Sequence, residues 1–185
     1  TDEKGEIVDQ WISGEEPHVI RGLEPGKKYT LTEVRPAEGF AWAEKITFQV
    51  NEDGTAEEIL MENRPTHIVI TKKDITNGEE LSGAHLELLD KDGNTVEEWV
   101  STDRPHEIVG RLTAGADYVL RETIPAEGFV KARDISFRVN ADGSINYVEM
   151  RDDTTKVRIY KNVWEEAGPS ADLGEATPSR AERGK

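Results

Sequence analysis

The 185-residue chain has no cysteine. A disulfide framework is therefore excluded, and a small β domain working outside a cell would need another kind of staple. Positive charge is scarce as well: 23 Lys and Arg stand against 38 Asp and Glu, a formal net charge of −15. Phosphate recognition relies on clustered cations, so this balance argues against nucleic acid as a partner. Aromatic residues make up only 6% of the sequence, and no apolar run approaches the length of a membrane span. No amphipathic helical period, nucleophile–His–acid set or cluster of metal ligands stands out. Neither a turnover enzyme nor a bound metal or cofactor is expected. The chain starts without an initiator Met or a signal-peptide pattern, which reads as a processed or excised fragment.

What the sequence does contain is a repeat. Asp2–Trp11 (D-E-K-G-E-I-V-D-Q-W) matches Asp90–Trp99 (D-K-D-G-N-T-V-E-E-W), and Pro17-His18 matches Pro105-His106. Tyr29–Phe40 (Y-T-L-T-E-V-R-P-A-E-G-F) matches Tyr118–Phe129 (Y-V-L-R-E-T-I-P-A-E-G-F), and Ile46–Gly54 matches Ile135–Gly143. Met61-Glu62-Asn63 matches Met150-Arg151-Asp152, so the offset is 122 − 33 = 152 − 63 = 89 residues. The same offset carries Ile68–Lys72 onto Val157–Lys161. Residues 1–64 then read as a repeat lacking its opening strands, and 66–153 as a complete one. Residues 154–164 read as the opening strand of a further repeat. A stretch rich in Gly, Pro, Ser, Ala and Glu over 165–185 is expected to be a flexible tail. Each repeat is built from short alternating segments separated by Asp-Gly turns at 53–54, 92–93 and 142–143. That pattern predicts an all-β, immunoglobulin-like sandwich.

Successive side chains of a strand point to opposite faces, so counting by two tests what each face buries. Ile68 and Ile70 share a face with Lys72, Tyr118 and Leu120 with Glu122, and Val148 and Met150 with Asp152. Three strands thus end an apolar face on an ionisable group, whereas Lys73 and Asp153 fall on the solvent side. The first repeat does the same with Tyr29, Leu31 and Glu33, and with Ile59, Met61 and Asn63. A single case would read as a strand end reaching water, but the recurrence weakens that reading. A buried salt bridge would use the same residues, and would contribute little net stability. Asn63, standing where the second repeat has Asp152, carries no charge to pair. What Asp and Asn share is an electrophilic side-chain carbonyl.

Amide formation fits these groups. Removal from water favours the free amine of a lysine and the protonated form of a carboxyl group. Lys72 can then attack the Asp152 carbonyl while Glu122 polarises that oxygen and carries protons. Water leaves when the acceptor is Asp, ammonia when it is Asn.

With V/I-x-I-x-K-x-D, L-x-E-x-x-P-x-x-G-F and a terminal M-x-D/N in place, the chain resembles the collagen-adhesin B-type (CnaB, SpaA-like) domains of Gram-positive pilins and surface adhesins. The likeness spans about Asp2–Lys161. It implies an immunoglobulin-like sandwich with a spontaneous Lys–Asn or Lys–Asp isopeptide bond. By motif, Lys72 is the nucleophile, Asp152 the acceptor and Glu122 the catalytic acid. Glu33 and Asn63 match in the first repeat, whose lysine position falls ahead of Thr1. Lys161 matches the lysine of a following repeat, so Asn63 and Lys161 are candidates for a link between chains.

The expected function is a structural stalk segment of a cell-wall-anchored surface protein, with its anchor outside this stretch and neighbouring repeats as its partners. The alternative is a ligand-binding adhesin module directed at a host protein or glycan, which would need an exposed patch or groove. Asp90–Asn94 has the start of a calcium loop but Ser101 in place of the closing Glu, and reads as a turn. Trp11 and Trp99 are expected in the core, and His18 and His106 as repeated structural residues.

Overall fold

The computed structural model describes residues 1–55 and 58–161. These form ten strands and no helix: Lys28–Leu31 (β1), Ile46–Gln49 (β2), His67–Asp74 (β3), His85–Leu89 (β4), Thr95–Val100 (β5), His106–Val109 (β6), Asp117–Ile124 (β7), Phe129–Val130 (β8), Ile135–Arg138 (β9) and Asn146–Thr154 (β10). Eight of them belong to the second repeat and make two four-stranded sheets, ordered β6-β3-β10-β8 and β5-β4-β7-β9. The turn from β4 to β5 shows how local chemistry sets these connections. Asp90 accepts the amide N–H groups of Asp92 and Asn94, both at 2.9 Å, and Gly93 takes a φ of +83° that a side chain would disfavour.

The alternation in the sequence becomes the core. Ile68, Ile70, Ile108, Val148 and Met150 from one sheet pack with Leu86, Leu88, Tyr118 and Leu120 from the other. Burying two such faces against each other gives the all-β sandwich that the turn spacing predicts. Every other pair in these sheets is antiparallel, but β3 and β10 run parallel, with Asn146 opposite Ile68 and Met150 opposite Lys72. The first and last strands of the repeat therefore lie side by side and point the same way.

The first repeat is more open. Its two described strands pair antiparallel with Tyr29 opposite Phe48. Ile12 and Val19 are 96% and 66% exposed, while Ile108 in the second repeat is fully buried. The tryptophans depart from expectation. Trp11 is exposed and Trp99 only borders the core, because each stacks on a histidine instead: Trp11 on His18 and Trp99 on His106, at 4.2 and 4.3 Å between ring centres. In both repeats that histidine meets an acid at 2.9 Å, Asp9 or Glu97.

A tight joint connects the repeats. The Thr66 amide donates to Gly39 O at 2.9 Å, its hydroxyl donates to Leu112 O at 2.9 Å, and its carbonyl accepts the Gly110 amide at 2.8 Å. Trp42 N donates to Ala141 O at 3.0 Å. Gly39, at φ +80°, comes so close to Gly110 that a Cβ would sit 2.1 Å from its carbonyl oxygen.

Residues 155–161 fall outside the unit formed by Thr1–Thr154. The expected opening strand over 154–164 is not formed across 155–161: Thr154 completes β10, and 155–161 is exposed and outside any strand. A strand needs a ladder partner, and none of the described strands pairs with this segment. Residues 162–164 and the expected flexible tail over 165–185 lie outside the described residues.

Candidate functional site

Lys72, Glu122 and Asp152 are brought together in the core of the second repeat, at 2%, 0% and 1% exposure. The elements that place them follow from the pleat. Each occupies the last core-facing position of its strand, after Ile70, Leu120 and Met150 respectively. Lys72 and Asp152 come from the parallel pair β3–β10, where Lys72 lies opposite Met150 and Asp152 follows two residues later on the same face. Glu122 comes from the facing sheet, opposite Leu86 on β4. The trio therefore spans the two layers of the sandwich.

Lys72 Nζ lies 2.8 Å from Glu122 Oε1 and in contact with Asp152 Oδ1. The Glu122 contact is an ion pair, and neither Glu122 Oε1 nor Asp152 Oδ2 has a hydrogen-bond partner among the described residues. The other Glu122 oxygen, Oε2, accepts the Ala132 amide N–H at 2.6 Å. Burial pushes the Asp152 carboxyl up to about 6; the Lys72 ammonium opposes that rise, and the neighbouring Glu122 carboxyl adds to it.

The proton count shows what this arrangement can do. With Asp152 protonated, Lys72 as ammonium and Glu122 as carboxylate, the net charge of the trio is zero. Moving one proton from Nζ to Glu122 leaves three neutral groups: an amine, a carboxylic acid beside it as electrophile, and a second acid able to pass a proton on. Low dielectric favours that neutral set over separated charges.

The same frame is present in the first repeat. Asn63 Nδ2 donates to Glu33 Oε1 and Oε2 at 2.9 and 2.8 Å and to Ala41 O at 2.8 Å. Glu33 Oε2 also accepts the Ala43 amide N–H at 2.8 Å, and Ala43 is the counterpart of Ala132 at the 89-residue offset. Glu33 and Asn63 are half-buried, and Lys161 is exposed on its own segment. On the solvent side, Lys73 pairs with Glu149 at 3.1 Å.

The amides of Ala43 and Ala132 were not legible from parity, because a backbone donor has no side-chain signature. Only the recurrence of alanine at both repeat positions hinted at a constrained site.

Fold and site together define a tandem β-sandwich module with a lysine and two carboxyl groups sealed between its sheets. The family model for the SpaA domain, a prealbumin-like fold domain, matches residues 1–65 and again 66–154. The chain belongs to that family, in two copies. Among solved structures it is similar to the shaft pilin SpaA of Lactobacillus rhamnosus GG, at 16% identity and a TM-score of 0.44 over 71% of this chain and 66% of that one. It is also similar to the Bacillus anthracis TIE protein (21% identity, TM-score 0.45, 69% of this chain and 25% of that one). A third is BcpA, the major pilin subunit of Bacillus cereus (23% identity, TM-score 0.40, 47% and 28%). The chain thus spans just under two thirds of the shaft pilin and about a quarter of the other two. No curated protein matches it.

Proposed function

We propose that this chain is a stalk segment of a Gram-positive surface protein of pilin-like or adhesin type, whose complete repeat locks itself with a Lys72–Asp152 isopeptide bond. The burial of one amine against two carboxyl groups carries this reading, and membership of the SpaA domain family supports it. In the reaction Lys72 Nζ bonds to Asp152 Cγ. Glu122 takes a proton from the nitrogen and returns one to the departing hydroxyl, and one water leaves. Nothing is consumed beyond the two side chains, and the event happens once per repeat, so the chemistry is self-modification and not turnover. The location that goes with this role is extracellular, on the cell wall, with neighbouring repeats as mechanical partners.

The bond closes a loop of 80 residues. Treated like a disulfide of that span, it restricts the unfolded chain by roughly 4 to 5 kcal/mol. It needs no oxidising compartment and resists reductants, which suits a chain with no cysteine. Intact-protein mass spectrometry tests the reading. The folded chain should weigh one water less than its sequence, and a Lys72–Asp152 branched peptide should appear on digestion. The unmodified mass would sink it.

A further inference from the structure

A small cleft of about 50 Å³ joins the surface of the second repeat to Lys72. Its inner lining is Ile70, Lys72 and Leu86, all buried. Its outer lining, which includes Trp99, Ser101 and His106, comes from β5, β6 and the exposed turn between them. That space admits about one water molecule. β5 and β6 are end strands of different sheets, and no ladder joins them among the described strands. Side chains join them instead. Trp99 of β5 stacks on His106 of β6, with ring centres 4.3 Å apart and planes 10° from parallel. Glu97 Oε1, also from β5, lies 2.9 Å from His106 Nε2, and Arg111 fixes that acid by donating to both its oxygens at 2.8 and 2.7 Å. Ser101 carries the brace inward. Its hydroxyl donates to Leu81 O at 2.6 Å, and the Leu81 amide donates to Lys72 O at 2.6 Å.

The first repeat keeps this set. Asp9, Trp11, Ser13, Pro17 and His18 match Glu97, Trp99, Ser101, Pro105 and His106 at an offset of 97 − 9 = 106 − 18 = 88 residues. The residues between Ser and Pro do not match: Gly14-Glu15-Glu16 stands against Thr102-Asp103-Arg104. The stack and the acid contact recur with the set, at 4.2 and 2.9 Å. A connecting turn by itself demands neither an indole nor an imidazole. We propose that Trp99, His106 and Glu97 form a latch that closes this edge of the sandwich over the Lys72 amine, which makes them positioning residues for the amide-forming reaction. Water at an amine favours the ammonium form, which has no lone pair to attack with. The latch excludes that water, and the Ser101–Leu81 link holds the backbone from which the amine projects. The second half of this role rests on the Lys72–Asp152 reading; the shielding does not.

Shielding is measured without the crosslink, in Glu122→Gln. Adding Trp99→Ala or His106→Ala should let acetic anhydride label Lys72 about tenfold faster or more, read on digestion by mass spectrometry. Trp99→Phe, which keeps a ring for the stack, should restore protection. Lys73, on the solvent side, should label equally throughout. Val139→Ala removes buried volume that does not line the cleft, and should leave Lys72 protected. The part in the reaction is measured on chain made by cell-free synthesis and sampled over time as intact mass. Trp99→Ala should slow the loss of water about tenfold or more, and Trp99→Phe should return it to near the parent rate. Lys72 labelling that ignores Trp99→Ala, or rises as much with Val139→Ala, overturns the latch. Equal rates of water loss in the parent and Trp99→Ala overturn its part in the reaction. A parent that never loses water, while Trp99→Ala still exposes Lys72, removes the crosslink and keeps the shield.

Discussion

Glu122 faces an amine on one side and a backbone N–H on the other, and its two oxygens have separate tasks. Oε2 is pinned by Ala132, which fixes the carboxyl so that Oε1 points at Lys72. Glu122→Gln preserves that shape but cannot accept a proton from the amine, so the chain should fold and keep its full unmodified mass. Lys72→Met replaces the cation with an apolar chain of similar length and should also show no loss of water from the mass of its own sequence. Its melting temperature should drop by roughly 15 to 30 °C, from about 4 to 5 kcal/mol of lost loop closure at several degrees per kcal/mol. A drop of only a few degrees in a calorimetric scan would show that the loop is not covalently closed in the parent.

The Asp152 shift gives a pH dependence with a definite sign. The neutral trio requires Asp152 protonated, and its carboxyl titrates near 6 in the folded state. Chain refolded from denaturant should therefore form the bond faster as pH falls through about 6, and slower above it. Quenched mass spectra over a pH series measure this; a rate that climbs steadily from pH 5 to 8 would instead assign control to deprotonation of the amine.

At the scale of strands, the side-chain alternation made the site legible. The period of two put Lys72, Glu122 and Asp152 on buried faces because neighbouring residues fixed the parity. The direction and order of the strands were not legible. Alternation says which way a side chain points but not which strand lies beside it, so the parallel β3–β10 pair was hidden. The tryptophans were misjudged for a related reason. Hydrophobicity places an indole inward, but Trp11 is exposed and Trp99 only partly buried against the core, each stacked on a histidine. Across 155–161 the expected strand is not formed, because an apolar-polar pattern is only half of a ladder.

The joint between repeats is an element-level feature with its own test. Gly39→Ala places a Cβ on the Gly110 carbonyl in a backbone region that already disfavours side chains. It should open the joint, seen as a larger radius of gyration by small-angle scattering, and cost about 2 kcal/mol or more. Gly93→Ala is the control: its φ of +83° is similar but its surroundings are open, so only the backbone cost of about 1 kcal/mol should appear. Equal effects from both would mean that the Gly39–Gly110 approach does not hold the joint.

For the whole molecule, the parallel first and last strands decide how a pull is carried. Tension entering at His67 reaches Lys72 after five residues, and tension leaving at Thr154 starts two residues beyond Asp152. With the amide in place it would cross directly, and the 80-residue span from Lys72 to Asp152 would stay slack. Single-molecule stretching of the parent should therefore miss the extension of about 280 Å that those residues would release at about 3.5 Å each. Lys72→Met should restore it, and seeing that length in the parent would remove the mechanical role.

Lys72 and Asp152 sit on one layer of the sandwich and Glu122 on the other. An unfinished or misregistered chain cannot assemble all three, so it remains free to come apart and try again. In the proposed reaction only a correctly closed domain could seal itself. Such a weld would act as a ratchet that inspects the fold before making it permanent.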